Sequence, residues 1–71
     1  MSTNIPIDGL PEAIRDRRRE LGLNQQELAD LAQVSRKFVY TVEDGKPSIR
    51  LDKLHDILDV LGLRLTVERR A

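Results

Sequence analysis

Between Asn24 and Gly45 the chain reads NQQELADLAQVSRKFVYTVEDG, two short stretches of helical spacing divided by a tight turn. In the first stretch Leu28, Ala29 and Ala32 fall on one face. In the second, Val39 and Val42 face inward and Arg36, Lys37, Tyr40 and Thr41 face outward. Reading the major groove of DNA calls for an outward row of cationic and hydrogen-bonding side chains on a short second helix. DNA binding is therefore the leading expectation.

The 71 residues leave room for one small domain, 1–71. A chain so short buries a limited fraction of its surface, and an isolated monomer is expected to be marginal. There is no cysteine to supply disulfides or thiolate ligands. Dimerisation is thus favoured on stability grounds alone, and the missing thiols fit a reducing cytoplasm. No apolar run approaches the roughly 20 residues of a membrane helix. Met1 to Asp8 lacks the basic start and apolar centre of a secretory signal. A soluble cytoplasmic protein without a membrane partner is expected.

Twelve basic and twelve acidic residues cancel, whereas many nucleic-acid binders are plainly basic. The distribution is uneven. From Ser35 to Arg50 the basic residues Arg36, Lys37, Lys46 and Arg50 outnumber Glu43 and Asp44, while Asp52, Asp56 and Asp59 gather later. A locally positive face on a neutral body binds DNA with modest non-specific affinity, its salt dependence set by a few phosphate contacts.

The helical body spans 9–62. Its first helix is expected to start near Gly9 to Pro11, since proline suits a first helical turn. Leu10, Ala13, Ile14 and Leu21 keep inward spacing, and Gly22 ends the helix. Asn24 caps the second helix, with Glu27 completing a capping box. Ser35 caps the third, which closes at Asp44-Gly45. Lys46 to Ile49 is a loop containing Pro47. The fourth helix runs from Leu51 to Leu61, with Leu51, Leu54, Ile57, Leu58 and Leu61 inward.

Residues 63–68 alternate apolar and polar, a strand pattern. Met1 to Asp8 is expected to be loosely packed, which makes this the only strand and leaves it without a partner in its own chain. An unpaired strand edge is normally covered or paired. Pairing with the same strand of a second copy through Leu63, Arg64, Leu65, Thr66 and Val67 solves the problem. Leu63, Leu65 and Val67 would cover the helical body. With the two-fold axis at Thr66, Arg64 meets the partner's Glu68; with the axis at Leu65, it faces Thr66. Both registers stay open.

The run from Leu21 to Ala29, LGLNQQELA, with Val34-Ser-Arg and Val42-Glu-Asp-Gly45, resembles the lambda-repressor-like (XRE, Cro/C1-type) helix-turn-helix family. The continuation from Gly45 to Leu54 and from Leu61 to Val67 looks more specifically like HipB-type antitoxins. Those are small dimeric repressors encoded beside a HipA-type serine/threonine kinase toxin. The resemblance spans residues 12 to 68. It implies a mainly α fold, a bundle of about four helices with one C-terminal β-strand pairing across a homodimer. Two departures stand out. Gln33 occupies the turn where glycine is usual; if that turn is left-handed, glutamine costs about 1 kcal/mol relative to glycine. Phe38 is bulky where a small polar residue is common.

Candidate DNA contacts follow. Gln25 and Ser35 stand at helix N-termini, where backbone N–H groups attract phosphate; the resemblance implies that Gln25 clamps the DNA backbone. Arg36 and Lys37 occupy the first turn of the third helix, and an arginine fork suits the N7 and O6 edge of guanine. A threonine methyl at Thr41 can touch thymine, and the Tyr40 hydroxyl suits a phosphate. Lys46, past the glycine turn, is a further phosphate candidate. The resemblance also pairs Arg18 with Glu43 across the first and third helices, with a phosphate contact by Arg18 open. Phe38 either meets thymine methyls or packs against the second helix. His55 is the sole histidine, without a second ligand for a metal or a nucleophile partner, and reads as structural surface.

The expected function is a sequence-specific repressor acting as a dimer on a palindromic double-stranded operator, and by resemblance an antitoxin that autoregulates its operon and binds a HipA-type kinase. A free-standing XRE-type regulator is the first alternative. A protein-interaction module that has lost DNA binding is the second, supported by the neutral charge. No paired carboxylates, activated nucleophile, metal cluster or phosphate-cradling glycine loop points to an enzyme or a cofactor.

Overall fold

The computed structural model describes residues 3–5, 9–46 and 48–66. The order is β1 (Thr3–Ile5), α1 (Leu10–Glu20), α2 (Gln25–Ala32), α3 (Arg36–Glu43), α4 (Leu51–Leu61) and β2 (Leu63–Leu65).

The starts of α1, α2 and α3 have local causes. Pro11 lies in the first turn of α1, where its missing N–H costs nothing. Asn24 Oδ1 accepts from the Glu27 N–H at 2.7 Å and Glu27 Oε1 accepts from the Asn24 N–H at 2.9 Å, so α2 opens on a complete capping box. Ser35 Oγ accepts from the Phe38 N–H at 3.0 Å and starts α3. The turn between them passes through Gln33 at φ 58°, ψ 43°, a left-handed conformation usually left to glycine. It is the only such non-glycine residue among those described.

Leu10 and Ile14 of α1, Leu28, Ala29 and Ala32 of α2, Val39 and Val42 of α3, and Leu54, Ile57, Leu58 and Leu61 of α4 form one buried cluster. Two leucines expected inward are not in it. Leu51 is 67% exposed in the opening turn of α4, where its spacing matches the inward face but no neighbouring element among the described residues covers it. Leu21 is 43% exposed just past the end of α1, and the last inward position of that helix is taken by Arg18 instead.

The strand at the C-terminal end requires a correction. It is not alone: β1 pairs with β2 in parallel, with Thr3 opposite Leu63, Asn4 opposite Arg64 and Ile5 opposite Leu65. The two strands are separated in sequence by all four helices, a closure between chain ends that local pattern does not reveal. Because the sheet has two strands, β2 is paired along one edge and keeps the other open among the described residues. Leu63 and Leu65 are half-buried against the core, and Arg64 between them is exposed, as alternation predicts. Gly62, at φ 69°, makes the left-handed turn from α4 into β2. Val67 and Glu68, and the expectations placed on them, lie outside the described residues.

α1 acts as a cross-tie. Arg15 Nη2 donates to the Glu43 carbonyl at the end of α3 at 2.8 Å, and Arg17 Nε donates to the Leu61 carbonyl at the end of α4 at 2.9 Å. The last carbonyls of a helix lack intrahelical donors and carry partial negative charge, so a guanidinium satisfies both needs.

Candidate nucleic-acid interface

α3 divides cleanly. Val39 and Val42 are wholly buried, whereas Arg36 and Lys37 are exposed on its first turn and Tyr40 is 56% exposed one turn later. Thr41 is half-buried, and its Oγ1 donates to the Lys37 carbonyl at 2.8 Å. That bond occupies the hydroxyl proton and leaves its lone pairs and the methyl group for other contacts. Ser35, exposed at the cap, lies beside Lys37 at the same end of the helix.

Behind this row sits an ion pair. Arg18 Nε and Nη2 donate to Glu43 Oε2 and Oε1 at 2.8 and 2.9 Å, a bidentate fork, and Nη1 donates to the Leu23 carbonyl at 2.9 Å. The pairing with Glu43 holds the Arg18 guanidinium above its ordinary pKa range against the opposing effect of burial. Both residues are buried. Arg18 is therefore a structural tie whose main donors are already engaged. Gln25, at the first position of α2, is half-buried, with Nε2 at 3.5 Å from Glu43 Oε1. The same carboxylate thus orients a side chain at the N-terminus of α2 and fastens α3 to α1.

Sequence reasoning missed a second flank. An open groove of about 290 Å³ is lined by Ser35, Lys37, Phe38 and Thr41 of the α3 region and by Ser48, Ile49, Arg50 and Lys53 from the loop and α4. Ser48 and Lys53 were not singled out, and Arg50 was counted only in the local charge balance, because only tertiary packing brings α4 beside the N-terminal half of α3. Arg50 is engaged with Asp52 at 2.8 and 3.2 Å, and this contact, with the Lys53 N–H, holds the Asp52 carboxyl below the usual carboxylate range. Lys46 Nζ lies 3.2 Å from Asp44 Oδ2. Phe38 is half-buried against the core, with Lys53 Nζ 5.9 Å from its ring centroid. Packing is thus its role in this state. His55 is exposed, 3.5 Å from Asp59. No three His, Cys, Asp or Glu side chains group as metal ligands among the described residues. Nor is any of their helices long and apolar enough to cross a membrane.

The geometry is that of a capped two-helix reader held on a third helix, and a helix-turn-helix family model matches residues 14–67. The chain belongs to the helix-turn-helix family, of the XRE type. Three relatives agree. An uncharacterised HTH-type transcriptional regulator of Sinorhizobium fredii is 35% identical over 54 residues, covering 76% of this chain and 71% of that protein. Another from Methanothermobacter thermautotrophicus is 43% identical over 49 residues, covering 69% and 71%. A longer HTH-type regulatory protein of the same archaeon is 35% identical over 63 residues; the match covers 89% of this chain but only 20% of that protein. Among solved structures, a chain of a HipA-HipB-O2-O3 complex superposes with a TM-score of 0.78 at 21% identity, covering all of both chains. A restriction-modification controller protein gives 0.70 at 22% identity, covering 90% and 80%. At these identities the two structures establish a shared fold. As a helix-turn-helix domain related to transcriptional regulators, the chain is a DNA-binding regulatory domain.

Proposed function

We propose that the protein is a sequence-specific transcriptional repressor that binds a palindromic operator as a homodimer. The observation that carries this reading is the division of α3, with two valines fully buried and Arg36, Lys37 and Tyr40 projecting from the opposite side. Arg36 and Lys37 then meet base edges, and Thr41 offers a methyl to thymine. Gln25, Ser35, Tyr40 and Lys46 hold phosphates and fix the register. Arg18 supports this surface from beneath. The two copies join through the open edge of β2, around Leu63, Arg64, Leu65 and Thr66. Their reading helices are set about 34–36 Å apart, one turn of duplex.

The finer role we propose is that of an antitoxin, repressing its own operon and restraining a HipA-type kinase. Fold likeness to a chain solved in a HipA-HipB-O2-O3 complex supports it. Co-purification with the product of the adjacent reading frame checks this part: a stable complex is expected, and its absence would leave a free-standing regulator.

The central test is a fluorescence anisotropy series on the upstream region. Arg36→Ala is expected to cost about 1–3 kcal/mol on the preferred site and little elsewhere. Gln25→Ala is expected to weaken all sequences alike and lower the salt slope by about 1. If neither variant changes binding, the groove-facing surface is wrongly assigned. The zero formal net charge favours a second reading, a protein-interaction module. Absence of any DNA complex at low salt from a folded protein would select it.

A further inference from the structure

We infer that Arg15 and Arg17 are positioning residues that fix the reading helix relative to the strand carrying the second copy, and so set the half-site spacing the dimer accepts. The inference rests on the dimeric reading proposed above.

α3 packs chiefly on α1 and α2, while β2 packs on α4 and β1. The angle between reader and dimer strand is therefore transmitted through intervening helices. Arg15 and Arg17 sit two positions apart on α1 and reach the closing ends of α3 and α4, at 2.8 and 2.9 Å. The first end follows the base-reading turns. The second is the residue before the Gly62 turn into β2, and the Arg17 guanidinium also lies beside Gly62, 3.9 Å from where a Cβ would stand.

Small angles matter here. With reading helices about 34–36 Å apart, each lies about 17 Å from the two-fold axis. A tilt of about 10° then moves each helix by up to about 3 Å and, with the two copies displaced in opposite senses along the duplex, changes their separation by up to about 6 Å, more than the roughly 3.4 Å rise of one base pair. A planar guanidinium held at a helix end resists such a tilt better than a flexible ammonium does. Both side chains keep part of their surface exposed, 36% and 39%. The competing role is thus direct phosphate contact, and the two roles have different signatures.

The experiment uses the full chain and duplexes built on its own footprinted site, with the half-site separation native, one base pair shorter and one longer, and a scrambled control. Anisotropy titrations at several salt concentrations compare the wild type with Arg15→Gln, Arg17→Gln and the two lysine variants. Each glutamine variant is expected to lose about tenfold of the preference for native spacing. Its affinity for the scrambled duplex and its salt slope should not change, and lysine should restore part of the loss. Retention of the full spacing preference by both glutamine variants would overturn the inference. So would an equal loss on every duplex with a slope lower by about 1, the mark of a phosphate ligand. A wild type that ignores spacing would instead remove the dimeric reading, and this inference with it.

Discussion

With its side chain almost wholly excluded from solvent, Glu43 accepts two hydrogen bonds from Arg18, lies 3.5 Å from the Gln25 amide nitrogen, and gives its backbone carbonyl to Arg15. Removing one member of such a pair leaves the other charge buried without compensation. Glu43→Gln is expected to cost about 3–5 kcal/mol in urea denaturation. That would consume much of the about 5–15 kcal/mol holding a small domain together. The pH behaviour of Arg18 follows from the sign of its shift. A raised folded-state pKa on Arg18 contributes stability that is complete below the unfolded value and lost only in strong alkali. From this group, denaturation midpoints should be flat over roughly pH 5 to 9. Asp52 has the opposite sign, its contribution being present above the ordinary carboxylate range and lost as pH falls through its depressed value. Full exposure and solvent screening keep that acid-side effect small. Gln33 offers a gain: Gln33→Gly removes left-handed strain of about 1 kcal/mol and should raise Tm by about 4–8 °C. An unchanged Tm would mean that the lost side chain or added chain entropy offsets the relief.

Helix ends were legible in the sequence because capping is a local hydrogen-bond problem. Asn24 with Glu27 and Ser35 with the Phe38 N–H solve it within four residues. Ser35→Ala should cost about 0.5–2 kcal/mol in thermal unfolding. It should also weaken DNA binding beyond the effect of stability, since the first turn of α3 carries Arg36 and Lys37. β2 was legible as a strand but not in its pairing. Alternation of period two identifies a pleated segment, yet nothing local tells whether its neighbour comes from residues 3–5 or from another chain. With β1 on one edge, the second copy is left the other. Truncation after Gly62 is expected to give a monomer by ultracentrifugation; a persistent dimer would refute pairing through β2.

Taken as one body, the molecule has no net charge, and its interaction with DNA depends on where its cations are held. Several are engaged internally: Arg15 and Arg17 at helix ends, Arg18 with Glu43, Arg50 with Asp52. Arg36 and Lys37 remain exposed on the reading turn. Measured affinity should therefore fall with salt at about −0.9 per phosphate neutralised. The slope should correspond to the handful of contacts proposed for each copy. A slope well beyond that number would mean that the arginines of α1 join the interface.

What the sequence determined is whatever neighbouring residues settle among themselves: four helices, the N-terminal caps of α2 and α3, the inward stripes of those two helices, and the outward row that marks the reader. It also carried the family, because those features recur at fixed offsets. Only tertiary structure decided that Leu21 and Leu51 stay exposed, that β1 returns to pair with β2, and that α1 fastens the ends of α3 and α4. It likewise brought Ser48, Arg50 and Lys53 beside α3. Each of these depends on groups far apart along the chain, where periodicity carries no information and only packing of the complete body selects the partner.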